Sequence, residues 1–253
     1  MQLALGAALA VVVGITAYRA RALTAGGAGA AFVIGTVVFG GSGWRGALVL
    51  FAFFIPSTLL SRWGRQKKLA LEDVAKQGAR DALQVLANGA VAAVCVLLAL
   101  RGFAAFAAAF AGALAAASAD TWGTEIGSLS LAAPRSVLTF QPMRPGFSGG
   151  VTILGTVATA GGAMLVAAVA AGLRIGPFWA VFAGGAAGAT LDSVLGASAQ
   201  ALRWCPACAR ECETDPHRCG SPTTLRRGLA WLGNDAVNLA ATLCGAAVAG
   251  LLA

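Results

Sequence analysis

The feature that most constrains this chain is a succession of apolar segments, each long enough to cross a lipid bilayer. Eight can be read, each roughly 16–24 residues long, near the ~20 residues that a spanning helix needs. They cover about residues 2–18, 23–40, 45–61, 80–100, 103–119, 149–172, 177–200 and 229–252. The chain is 58% hydrophobic and 11% charged, with a mean hydropathy of +0.78. This composition is far from that of a typical soluble protein. We therefore predict an all-α fold, a polytopic transmembrane bundle of about eight helices that forms one membrane domain over residues 1–253. A signal peptide is the alternative for the first segment, but Met1-Gln2 offers no basic region before it.

The basic residues divide unequally between the two sides of such a bundle. Fifteen of the 18 lysines and arginines fall in the connections that follow segments one, three, five and seven, and only Arg45, Arg101 and Arg174 fall on the other side. By the positive-inside rule, both termini are outside, and the four basic connections are cytoplasmic in the inner membrane of a prokaryote. The net charge of +8 then reflects topology and attraction for anionic lipid or phosphate. We expect no nucleic-acid binding, because the sequence has no soluble basic domain.

Polar residues, whose burial in a membrane costs free energy, lie near the predicted cytoplasmic ends of several segments. Asp120 and Glu125 follow the apolar run of segment five, and Asp192 lies about two turns before the end of segment seven. In segment four, polar side chains recur at i, i+4 and i+8 and form one stripe: Arg80, Gln84 and Asn88. Segment eight begins with three more: Asn234, Asp235 and Asn238. Acids are expensive in hydrocarbon and usually mark a site, so we predict one site that opens to the cytoplasm.

The residue types of this site indicate phosphoryl chemistry. Carboxylates beside amides suit a hard cation such as Mg²⁺, for which we select Asp120, Asp192 and Asp235, with Glu125 orienting bound water or the donor. Phosphate would bind a guanidinium and the backbone N–H groups at the start of segment six. The candidates there are Arg144, Ser148, Gly149 and Gly150. A lipid bilayer, a cation and a phosphate site together predict a substrate with a lipid tail.

Each of these residues can also have a purely structural role. Asp192 can instead pair with Arg80 across the bundle. Gln84 and Asn88 can be hydrogen-bonding residues between helices rather than substrate contacts. Glu125 can be an exposed loop acid, and the glycines after Ser148 can serve helix packing alone.

A cysteine-rich connection, residues 203–227 and named the cysteine loop, precedes the last segment. Its spacing is Cys205-x2-Cys208-x3-Cys212-x6-Cys219, with His217 two residues before the last cysteine. A cytoplasmic position argues against disulfides. The spacing suits tetrahedral Zn²⁺ with a structural role, held by Cys205, Cys208 and Cys219 and by either His217 or Cys212.

Several motifs resemble the integral-membrane family that contains plant phytyl-phosphate kinase, long labelled a domain of unknown function, with archaeal, bacterial and animal members. The resemblance spans nearly the whole chain and is carried by residues 84–89, Ser118–Gly127, Pro134-Arg135, Pro145–Val151, Leu191–Gly196 and Asn234–Asn238. The motif order is also faintly similar to the CTP-dependent polyprenol kinases. Phe147 stands where family members have small polar residues.

The resemblance implies a Mg²⁺-dependent kinase that converts an isoprenoid monophosphate lipid to its diphosphate with a nucleoside triphosphate, CTP ahead of ATP. In that reading Asn88, Asn234 and Asn238 complete cation ligation or bind the nucleotide. The alternative function is a transporter of a phosphorylated or cationic solute. A transporter needs polar groups across the midplane and often related halves, and the sequence shows neither.

Overall fold

The computed structural model describes residues 2–64 and 78–253, and these parts form a helical bundle with two small sheets. The seven helices described are α1 Gln2–Arg19, α2 Ala25–Arg62, α3 Ala82–Leu100, α4 Ala105–Gly127, α5 Ile153–Gly172, α6 Phe178–Ser198 and α7 Asn234–Leu251. Five of them are long and apolar enough to cross a membrane: α1, α2, α3, α5 and α6. The predicted helical class is therefore confirmed, and the described residues contain five candidate membrane spans.

The count of about eight helices differs from the seven described, because predicted segments two and three form one element. Helix α2 has 38 residues, and its Gly43 adopts non-helical backbone angles (φ 62°, ψ −157°). Glycine tolerates this left-handed conformation because it has no Cβ. The two halves of α2 therefore remain separate helical stretches joined by a kink.

Helix α4 lies at the centre of the bundle and contacts α2, α3, α5, α6 and α7. It is buried continuously from Ala108 to Ala119. Small residues allow this close approach: a Cβ added to Gly245 of α7 would lie 2.6 Å from the Gly112 carbonyl oxygen of α4. Close contact between small-residue faces is how membrane helices gain packing energy without a hydrophobic driving force between them.

Two of the long connections carry short paired strands. Strands β1 (Arg135–Ser136) and β2 (Gly150–Val151) pair before α5, and β3 (Leu202–Cys205), β4 (Arg210–Cys212) and β5 (Thr224–Arg227) form a sheet in the order β4-β3-β5. Helix α5 starts at Ile153, because Thr152 caps it by accepting from Gly155 N–H. The predicted start of the sixth segment near residue 149 was therefore early. Residues 147–149, named the Ser148 loop, precede β2 and the helix.

Candidate functional site

Two acids on neighbouring helices meet in the bundle. The side chains of Asp120 on α4 and Asp192 on α6 are hydrogen-bonded to each other. Each acid lies four residues after a small residue at a tight helix contact: a Cβ on Gly188 would lie 2.5 Å from the Ala116 Cβ. The Oδ2 atom of Asp192 is buried and receives no N–H or O–H from any described residue. A carboxyl pair of this kind needs a shared proton or a cation.

Glu125 and Arg80 extend this cluster. Glu125 interacts electrostatically with both Asp120 and Arg80. The Arg80 guanidinium is held by the second half of α2, where it donates to the Ser61 hydroxyl (3.3 Å) and to the Ser57 carbonyl (3.4 Å). Its backbone is fixed as well, because its N–H and C=O bond to the connection between α1 and α2. The charge that faces Arg80 is thus Glu125, and Asp192 faces Asp120.

The polar stripe of α3 is used partly by the helix itself. Asp81 is the N-cap and forms a capping box with Gln84, whose Oε1 accepts from the Asp81 N–H at 3.1 Å. Asn88 donates its Nδ2 to the Gln84 carbonyl at 2.8 Å. Both side chains, with Arg80, also line an apolar slot of 270 Å³ between α1, α2 and α3.

A larger cleft of 2030 Å³ lies between the α1–α2 connection, α3, the cysteine loop and the start of α7. Its lining includes five arginines: Arg19, Arg21, Arg62, Arg80 and Arg218. Exposed apolar side chains form part of the wall: Leu83, Leu86, Trp231 and Leu239. Arg80 lines both the cleft and the apolar slot, so one cationic side chain borders both spaces.

Two of the three site residues predicted on α7 line the same cleft. Asn234 and Asp235, in the first turn of α7, line it, together with Glu213 of the cysteine loop. Asn238 is half-buried on the next turn and is not part of the lining.

The Ser148 loop already holds an anion from the protein. Glu213 accepts from the Ser148 N–H (2.8 Å) and from the Ser148 hydroxyl (2.7 Å), and the Gln200 amide donates to it at 3.0 Å. Gly149 has φ +82° and lies against Ala197 with no room for a Cβ, so its role here is conformational and steric. The predicted guanidinium partner, Arg144, is exposed.

Glu213 and Gln200 were not predicted as site residues from the sequence. Glu213 interacts electrostatically with Asp192 and Arg227. Burial raises the pKa of Glu213, and its hydrogen bonds from Ser148 act in the opposite direction. The only sequence signal is an acid placed between metal-ligand candidates, which is common in exposed loops.

The cysteine loop forms a candidate metal centre. Ligand atoms of four residues lie within 4.8 Å of one another, a set that could hold a metal such as zinc: Cys205, Cys208, His217 and Cys219. Hydrogen bonds from Ser221 and His217 lower the pKa of Cys219 to about 5, which favours a thiolate ligand. The structure selects His217 as the fourth member, because Cys212 is buried and directs its Sγ toward the Thr214 carbonyl.

The comparisons with known proteins agree with the membrane fold. The family model described as integral membrane protein DUF92 matches residues 8–246. The chain belongs to this family. It is 30% identical to Protein PGR of Arabidopsis thaliana over 233 residues, covering 77% of each chain. It is 34% identical to an uncharacterized membrane protein of Methanocaldococcus jannaschii over 182 residues, covering 71% of this chain and 75% of that one. No solved structure matches.

Proposed function

We propose that this family member is a prenyl-phosphate kinase that makes an isoprenoid diphosphate from the monophosphate and a nucleoside triphosphate, CTP ahead of ATP. The observation that carries the proposal is the position of Arg80, which lines both an arginine-rich cleft and an apolar slot. Such an arrangement suits a molecule with a phosphate at one end and a hydrocarbon tail at the other. The resemblance to phytyl-phosphate kinase supports the same substrate class.

We assign phosphate binding to the arginines of the cleft. Guanidinium groups make charge-assisted, often bidentate hydrogen bonds with phosphate. The Ser148 loop is the less suitable anion site, because the Glu213 carboxylate occupies the Ser148 N–H and hydroxyl. A phosphate at Ser148 would have to displace this carboxylate while Asp192 lies nearby.

We assign a divalent cation to the Asp120–Asp192 pair. These oxygens fit Mg²⁺, because carboxylates are hard donors and the buried Asp192 Oδ2 receives no hydrogen from the described residues. When bound, the cation would neutralise charge on the transferred phosphoryl group. Glu125 links the pair to the cleft, because it interacts with both Asp120 and Arg80.

The chain's own residues would act mainly by positioning. The attacking group is already a phosphate oxygen, so no strong general base is required. Arginines that hold donor and acceptor phosphates close together would supply orientation and charge stabilisation, the usual large terms in phosphoryl transfer. By the positive-inside rule, we place this cleft on the cytoplasmic side.

The test uses purified protein with phytyl phosphate, Mg²⁺ and a panel of nucleotides, and detects prenyl diphosphate by mass spectrometry. Arg80→Gln should raise the KM for the lipid phosphate about 10- to 100-fold, the range for one lost hydrogen bond to a charged group. Arg101→Gln is the matched control, because Arg101 is exposed in the turn between α3 and α4 and is not part of the cleft.

A different set of results would identify a transporter instead of a kinase. If no donor and no chain length gives a diphosphate, while Asp120→Asn alters solute flux in vesicles, the protein is a transporter and the kinase proposal is wrong.

A further inference from the structure

The cysteine loop contacts the helix bundle through two side chains, Glu213 and Arg227, and Arg227 donates to the Gly196 carbonyl of α6 at 3.3 Å. Glu213 follows Cys212 directly, and its carboxylate leaves the loop to contact Ser148 and Gln200. This carboxylate interacts electrostatically with Asp192, which is hydrogen-bonded to Asp120. A residue of the loop is therefore part of the same acidic cluster as the two bundle acids.

The partners of Glu213 also contact each other and the end of α6. Gln200 is 2% exposed, and its Nε2 donates to the Ser148 hydroxyl at 2.9 Å as well as to Glu213. Ser148 is held by the close contact of its neighbour Gly149 with Ala197 at the end of α6. The bundle thus presents the hydrogen-bond donors of Ser148 and Gln200 to one carboxylate.

On the loop side, the candidate metal ligands bracket Glu213. Cys205 and Cys208 precede it, and His217 and Cys219 follow it, with all four ligand atoms within 4.8 Å of one another. A metal ion would close the segment from Cys205 to Cys219 into one cross-linked unit. A loop this short cannot bury a core of its own, so a metal can supply the folding energy that a core would supply.

We infer that a metal ion held by Cys205, Cys208, His217 and Cys219 positions the Glu213 carboxylate on Ser148, and so couples the loop to the acid cluster of the bundle. Glu213 is then a positioning and charge-setting residue, and the loop is more than a surface element. Without the metal, the segment gains conformational freedom that competes with holding one carboxylate in place. The number of carboxylates in the cluster would fall by one. This inference does not depend on the proposed reaction.

Amide hydrogen exchange at Ser148 tests the coupling without any activity measurement, because the Ser148 N–H donates to Glu213. The full-length protein in detergent is compared with its zinc bound, with its zinc removed by a chelator, and with zinc added back. We expect the Ser148 amide to exchange about tenfold faster after zinc removal, the scale of one lost hydrogen bond to a charged acceptor. Added zinc should restore the slow rate.

Variants separate the Glu213–Ser148 contact from metal binding by the loop. Glu213→Ala should speed exchange at Ser148 by a similar factor while the zinc content stays unchanged. Glu211→Ala, two residues away on β4, is the matched control and should change neither exchange at Ser148 nor zinc content.

Three outcomes would overturn the inference. The first is that zinc-free protein keeps its protection at Ser148. The second is that Glu213→Ala keeps this protection. The third is that exchange after zinc removal rises equally across Ala108–Ala117 of α4, because the metal would then support the whole bundle rather than a local contact.

Discussion

Substitution of a hydrogen-bonded buried residue usually destabilises a protein. Replacing Asp120 with asparagine should instead leave the stability unchanged or raise it. The side chain of Asp120 is hydrogen-bonded to Asp192 and also interacts with Glu125. The substitution keeps the shape of the side chain and removes one of three neighbouring acids. The amide can still donate a hydrogen bond to Asp192, so the buried contact need not be lost.

The expected magnitude follows from these contacts. Two unit charges 4 Å apart repel by about 4 kcal/mol at an effective dielectric constant of about 20. A shared proton relieves part of this repulsion, so in cation-free buffer we expect the variant to be as stable as the wild type or more stable, by up to a few kcal/mol. With Mg²⁺ at 100 times its dissociation constant, the wild type should gain about 2.7 kcal/mol, and the variant should gain none.

Thermal unfolding in detergent, with and without Mg²⁺, measures both effects. For a chain of this size, 1 kcal/mol corresponds to about 2–4 °C in Tm, so Mg²⁺ should raise the wild-type Tm by roughly 5–10 °C. Asp192→Asn should behave like Asp120→Asn, because each removes one member of the pair. Glu211→Gln should leave the Mg²⁺ response intact, because Glu211 lies on the loop strand β4.

One result would refute this reasoning. If Mg²⁺ leaves the wild-type Tm unchanged and Asp120→Asn unfolds at a lower temperature in cation-free buffer, the pair is a structural hydrogen bond. The assignment of the cation to Asp120 and Asp192 would then be withdrawn.

Two further predictions concern packing and metal content. Gly245→Ala should destabilise the protein by about 1–3 kcal/mol in thermal unfolding, because its Cβ would lie 2.6 Å from the Gly112 carbonyl oxygen, whereas Gly29→Ala, with open space around it, should be neutral or slightly stabilising. Cys219→Ser should remove zinc from protein purified without chelator, as measured by atomic emission, and Cys212→Ser should retain it, because Cys212 lies outside the ligand cluster. Equal losses of stability for the two glycine variants, or of zinc for the two cysteine variants, would contradict the respective assignment.

Sequence reasoning predicted the helical membrane class well, because hydrophobic span length is a property of local sequence. It placed the break between segments two and three at residues 41–44, which include the non-helical Gly43, but predicted a loop there rather than a kink within one element, because Gly40-Gly41-Ser42-Gly43 resembles a loop between two helices. It also started the sixth segment too early, because the pairing of β1 with β2 depends on residues about 15 positions apart.

For the candidate site, the sequence supplied candidate acids in the bundle but did not predict which of them meet. Asp120 and Asp192 share similar local contexts, each four residues after a small residue, and only helix packing shows that these two helices run side by side. The choice between His217 and Cys212 also required the loop fold, because both spacings are compatible with a tetrahedral centre.

The apolar segments, the distribution of arginines and the cysteine spacing were determined by the sequence alone, because each depends on residues near one another in the chain. The tertiary structure decided the acid pair, the Arg80 position shared by cleft and slot, and the contact of Glu213 with Ser148. The pair Asp120–Asp192 joins residues 72 positions apart, and Ser148–Glu213 joins residues 65 positions apart. The geometry of the bundle follows from glycine and alanine faces that let helices approach closely. Close packing fixes such distances, and local sequence patterns carry no record of them.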